Sequence, residues 1–120
     1  MSKPKEASIE SYLEQQAKQN KFFCKKYPST HLGGMPDRIL IGHGHTVFVE
    51  VKRPGEKIKP NSQQEWRHIE IARYGGQTFI VSTHEEVDQL LSTLAATSKQ
   101  TTYAKINQAL SHLKLQLKRG

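Results

Sequence analysis

Acids are scarce in this chain, and three charges sit where charge is least expected. Its 120 residues carry 18 Lys and Arg against 11 Asp and Glu, for a net charge of +7. No acid lies between Glu14 and Asp37, and none follows Asp88. Yet the stretch GGMPDRILIGHGHTVFVEVK, Gly33 to Lys52, places Asp37 at the head of one apolar run and Glu50 and Lys52 inside a second. Strand side chains alternate between faces, so Val47, Val49 and Val51 share one face while Phe48, Glu50 and Lys52 share the other. The glycines of GHGH, Gly42 to His45, suit a tight reversal that folds the second run onto the first and brings Asp37 beside Glu50 and Lys52. Hard divalent cations such as Mg²⁺ take one or two protein carboxylates together with water and phosphate oxygens. A lysine beside them can orient a water and offset developing negative charge. This is equipment for metal-assisted phosphodiester hydrolysis, and a basic chain suits a polyanionic partner. A plainer reading stands beside it. Glu and Lys two apart on a strand often form a solvated face, Asp after Pro is often a turn residue, and net charge aids solubility.

The elements that must position these residues follow from periodicity and turn chemistry. Ile9, Tyr12, Leu13 and Ala17 recur at helical spacing and predict a helix over about Lys5 to Asn20. KFFCKKY, Lys21 to Tyr27, reads as a strand, and PSTHLGG as a turn. Arg38 to Ile41 and Thr46 to Lys52 form a hairpin through GHGH, the second strand being central and apolar on both faces. RPGEKIKP is a loop. Asn61 and Gln64 resemble a capping box for a helix to about Tyr74, closed by Gly75 and Gly76. Thr78 to Val81 is a strand, and Thr83 with Glu86 is a second capping box for a helix to about Ala96. Tyr103, Ile106, Leu110, Leu113 and Leu117 then step by three and four along a last amphipathic helix. Strands alternating with helices give an α/β fold: a mixed β-sheet core flanked by helices, with an extra C-terminal helix. The expected organisation is one domain over 1–96, then a linker and amphipathic helix over 97–120 that packs on the domain or serves dimerisation.

MPDRILIGHGHTVFVEVK resembles the PD-(D/E)xK nuclease signature, through Pro36-Asp37 and Glu50-Val51-Lys52. More narrowly, IESYL, GGMPDRILI, FVEVKRPGEKIKPNSQQ and GGQTFIVSTHEEV follow the pattern of the VRR-NUC family in order, from about Glu6 to about Leu91. Those blocks are similar to small stand-alone members of phage and bacterial type. The resemblance implies a restriction-endonuclease-like core and a Mg²⁺- or Mn²⁺-dependent endodeoxyribonuclease. It implies Asp37, Glu50 and the Val51 backbone carbonyl as metal ligands. Lys52 would position the attacking water, and Glu10 would reach the metal directly or through water. Gln64 would complete the site, although the same residue can simply cap its own helix. Lys26 falls where the family often has a lysine and would meet a phosphate. Arg38, Arg53, Lys57, Lys59, Arg67 and Arg73 add candidate DNA contacts. Gly33 stands where many relatives carry a basic residue, which removes one such contact.

Other residues read as structural. His43 and His45 suit a turn better than a metal pair, since no Cys or third His stands near them in sequence. Cys24 reads as a buried thiol, and Trp66 with Ile69 as core packing. The partner implied is DNA, branched or duplex, cut by a homodimer that offers one active site per strand, as Holliday-junction resolvases do. A binding module of this fold without turnover is the alternative. No small-molecule cofactor and no membrane partner are expected. One cysteine, no apolar run of membrane length and no leader-like N-terminus predict a cytoplasmic protein, of phage or prophage origin by the same resemblance.

Overall fold

The computed structural model describes residues 5–27 and 33–98. The element order is α1 (Glu6–Gln19), β1 (Phe23–Lys26), β2 (Arg38–Gly42), β3 (His45–Val51), α2 (Gln63–Arg73), β4 (Thr78–Val81) and α3 (His84–Ala96). The four strands form one sheet in the order β1-β2-β3-β4. The first two pairings are antiparallel, and β3 pairs with β4 in parallel. A parallel pair needs a crossover, and α2 is that crossover. The expected α/β fold, with helices flanking a mixed sheet, is the fold observed. The Tyr103-to-Leu117 stripe and most of the PSTHLGG turn lie outside the described residues.

Burial explains the layers. Ile9, Leu13 and Ala17 repeat every fourth residue on α1 and are fully buried. They meet Val47, Val49 and Val51 of β3, Leu40 of β2, and Val87, Leu90, Leu91 and Leu94 of α3 in one core cluster. Each such valine or leucine contributes roughly 1.5–3 kcal/mol by leaving water. One face of the sheet is therefore sealed by α1 and α3. The opposite face, expected to be equally covered, is open in part. Thr46 is exposed, Phe48 is half-buried, and α2 buries no residue completely. Trp66, expected in the core, is 57% exposed, and Ile69 beside it is exposed too. A helix that crosses over a sheet's edge presents only a narrow stripe inward, and Gln64, His68 and Ile71 occupy that stripe instead.

Element ends and turns differ from the sequence reading in small, explicable ways. The first strand begins at Phe23, two residues later than expected, because Lys21 takes a left-handed conformation (φ 65°) and Phe22 turns into the core. His43 and Gly44 both have positive φ, at 52° and 84°, as a two-residue type I′ hairpin requires. The helix α2 is capped one residue later than predicted: Ser62 Oγ accepts from the Glu65 N–H at 3.2 Å, and Glu65 Oε1 accepts from the Asn61 N–H at 3.0 Å. At α3 the predicted box holds, with Thr83 Oγ1 accepting from the Glu86 N–H at 3.1 Å. Among the described residues, no helix is long and apolar enough to cross a membrane.

Candidate active site

The antiparallel register pairs Arg38 with Val49. One step further along, Asp37 reaches the level of Glu50. Three restraints hold Asp37 there. Pro36 is fully buried, the Asp37 carbonyl accepts from the Tyr27 N–H at 2.8 Å, and Asp37 Oδ2 accepts from the Val51 N–H at 2.9 Å. The side chain thus crosses from β2 to grip the backbone of β3. Gly33 and Gly34 make the approach possible. Gly34 has φ 79°, and a Cβ on either glycine would overlap Gln63 at the start of α2.

Glu50 is only 2% exposed. Its Oε2 accepts from Gln64 Nε2 at 2.6 Å and lies 3.5 Å from the Lys52 ammonium. Its Oε1 is buried without any partner. Burial and then the neighbouring Asp37 charge push its pKa up to about 7, against the lowering pull of Lys52. A carboxylate buried beside a second carboxylate, with one oxygen unpaired, is poorly placed to stay ionised alone. Gln64 had two readings in the sequence, and the shifted cap separates them. Ser62 caps α2, which leaves the Gln64 amide for Glu50.

The remaining candidates fall in several places. Glu10 lies 4.0 Å from the Arg38 guanidinium. Glu6 lies one helical turn earlier on the same face of α1. Its pKa is raised by burial, by Glu56 and by Asp37. Sequence reasoning missed Glu6, although its i, i+4 relation to Glu10 signals it. His68 was missed too. It follows Gln64 by one turn, its Nε2 is buried without a partner, and its pKa is lowered by burial and by Lys52 against the pull of Asp37. Its spacing from Gln64 was the available signal.

Among the cations, Lys26, Arg53, Lys57, Lys59 and Arg73 are exposed. Arg67 is half-buried and engaged: its Nε donates to the Gly33 carbonyl at 3.1 Å and its Nη1 to Glu70 at 2.7 Å. Arg38 corrects the expectation of a DNA contact. Its side chain is 8% exposed and clamped by Glu14, with Glu10 nearby. Its place on the sheet face that packs on α1 turns the guanidinium inward. Cys24 is half-buried against the core, and burial pushes its thiol pKa up. His45 is buried with Nε2 2.8 Å from the Thr97 carbonyl, and His43 occupies the hairpin turn with Nε2 3.0 Å from the Asn20 carbonyl.

The residues present fit a hard divalent cation. The unpaired Oε1 of Glu50 is a vacant acceptor in a buried site, and Asp37 brings a second carboxylate. Among the described residues, no three His, Cys, Asp or Glu side chains gather into a metal cage. A cation there would need water and substrate oxygens to fill its shell, as Mg²⁺ habitually does.

No family model matches the chain. A solved structure described as "VRR_NUC domain" superimposes with a TM-score of 0.62 and 25% identity, covering 72% of this chain and 94% of that one. The curated protein "Putative nuclease p44" of Acyrthosiphon pisum secondary endosymbiont phage 1 is 30% identical over 82 residues, which is 68% of this chain and 86% of the relative. The chain belongs to the VRR-NUC family. In this VRR-NUC chain the hairpin and the crossover bring Asp37, Glu50, Lys52 and Gln64 to one end of the sheet.

Proposed function

We propose that this VRR-NUC protein is a Mg²⁺- or Mn²⁺-dependent DNA endonuclease that hydrolyses phosphodiester bonds. We infer further that it selects branched DNA of the Holliday-junction kind and works as a homodimer inside the cell. One observation carries the reading: a buried Glu50 whose pKa is raised to about 7 beside Asp37, with Oε1 left unpaired. Two carboxylates held together with one lysine beside them to offset their charge are costly as structure and useful as a cation site. In this reading Asp37, Glu50 and the Val51 carbonyl hold the cation. When bound, it supplies charge neutralisation at the phosphate and acidity for the attacking water. The chain's own groups do the rest. Gln64 fixes the orientation of the Glu50 carboxylate through its 2.6 Å hydrogen bond. Lys52, 3.5 Å from the same carboxylate, points its ammonium at the reacting phosphate, where it orients water and offsets charge. The exposed Lys26, Arg53, Lys57 and Lys59 draw the DNA backbone toward that end of the sheet. A twofold dimer supplies the two sites that cutting both strands requires, and a phage source for a relative is consistent with junction processing.

The test is cleavage of labelled four-way junction, flap, duplex and single-stranded DNA with Mn²⁺, with and without chelator. Wild type is expected to cut in a chelator-sensitive manner. Asp37→Asn and Glu50→Gln are expected to abolish cutting while DNA affinity stays within a few-fold. Cutting by either variant at the wild-type rate removes the site assignment. Binding of all substrates by wild type with no cutting of any would favour a binding module instead.

A further inference from the structure

The sheet face that carries Glu50 is only half covered. Among the described residues, α2 packs toward β4 and no helix lies over β1 and β2 on that side. Phe23 and Ile41 are direct partners in the β1–β2 register and are 53% and 40% exposed. The next apolar pair on the same face, Ile39 with Phe48, is half-buried. Phe48 also lines a hollow of about 400 Å³ with Met35, Ile71 and Tyr74. An apolar strip therefore runs from the hairpin end of the sheet to the flank of α2. β1 is moreover an edge strand, guarded at Phe23 by the Lys25 ammonium 5.7 Å from its ring centroid, while Ile41 beside it stays exposed.

The chain itself ends its described course at the head of this strip. After α3, the Thr97 carbonyl meets His45 Nε2 at 2.8 Å and Ser98 Oγ donates to the His43 carbonyl at 3.1 Å. Ser98 is thus tied to the β2–β3 turn, two residues from Ile41. Residues 99–120 follow, with Tyr103, Ile106, Leu110, Leu113 and Leu117 at intervals of three and four. We propose that this C-terminal segment lies over the outer face of β1 and β2 of its own molecule, setting that apolar stripe against Phe23, Ile41 and Ile39. The dimensions agree. As a helix, the stripe would be about 21 Å long at 1.5 Å per residue. The five residues of β2 extend about 17 Å at 3.3 Å each. A helix of this length is marginal alone in water and needs an apolar surface. The anchor at Ser98 favours the chain's own sheet over a second copy's, since a short tether gives an effective concentration on the order of millimolar. This inference is independent of the nuclease reading. It leaves the dimer contact of that reading to other surfaces.

Disulfide trapping in the full-length protein tests it. In a Cys24→Ser background, Ile41→Cys is combined in turn with Ile106→Cys, Leu110→Cys and Leu113→Cys, with Gln108→Cys off the stripe as control. Each protein is oxidised at low concentration and read by non-reducing gel and mass spectrometry. At least one stripe position is expected to form an intramolecular disulfide at about tenfold the yield of the control, since trapping demands Cα atoms within about 7 Å. Phe23→Cys replaces Ile41→Cys if the latter fails to melt cooperatively when reduced. A covalent dimer as the main product would assign the strip to a second copy and overturn the proposal. So would the absence of any crosslink above control from both anchors.

Discussion

Glu50 offers a test that needs no DNA. In the fold its pKa stands at about 7, against an ordinary value of 4.5. The folded state therefore holds this proton to higher pH than the unfolded chain does. Between about pH 4.5 and 7 the folded state binds more protons, so stability falls as pH rises through that window. At 1.36 kcal/mol per pH unit, the full loss by pH 8 is about 3 kcal/mol. Glu50→Gln removes the titration while keeping the side chain's volume. The pull of the nearby Lys52 is already contained in that pKa, and because an amide mimics the protonated acid only in part, the gain is about 1–3 kcal/mol. For a domain of this size that is a rise in Tm on the order of 5–15 °C. The assay is thermal unfolding of both proteins in chelator, every half unit from pH 5 to 8.5. The variant is expected to melt higher at pH 8 and to converge with wild type near pH 5. His68, whose pKa is lowered by burial, contributes a slope of the opposite sign. It does so in both proteins and cancels in their difference. Mg²⁺ or Mn²⁺ at pH 8 is expected to raise the wild-type Tm and leave the variant nearly unmoved, since a ligand stabilises only the state that binds it. A variant that melts below wild type at pH 8 in chelator would refute the reasoning, because Glu50 would then be a net-stabilising partner of Lys52.

Three further outcomes separate residues by role. Gln64→Ala removes a charge-assisted hydrogen bond worth about 1.5–3 kcal/mol to Glu50, so cleavage is expected to drop about tenfold or more with helix content unchanged by circular dichroism. An unchanged rate would deny Gln64 any part in positioning Glu50. Arg38→Ala leaves Glu10 and Glu14 without their cation, so a loss of about 1–3 kcal/mol in urea-melt stability is expected with the salt dependence of DNA binding unaltered. Lys57→Ala with Lys59→Ala is expected to do the reverse, reducing the log–log salt slope by about 2.

How far the chain's own letters reach is visible in particular residues. Asp37, Glu50 and Lys52 were legible because strand alternation and a hairpin turn are local rules, and both hold in the register of β2 on β3. Thr83 with Glu86 was legible for the same reason. Asn61 and Gln64 were misread by one position, since SQQE and NSQQ both satisfy capping patterns and only the backbone decides between them. Trp66 and Ile69 were misplaced because a periodic apolar stripe shows that a helix has a face without showing what that face meets. Glu6 and His68 were missed because electrostatic coupling to the site depends on which turn of α1 and α2 lies over Asp37 and Lys52.

The division has one physical origin. Turn chemistry, side-chain alternation and helical period act over a few residues, and they specified the elements, the hairpin and the cluster of two acids and a lysine. Packing direction, pairing across distant segments and burial act through space. Only these turned Arg38 inward to Glu14, freed Gln64 for Glu50, and drove the Glu50 pKa to about 7. The residue types in the cluster came from sequence. Their protonation, and hence what the cluster is able to hold, came from the low-dielectric surroundings that tertiary structure builds around them.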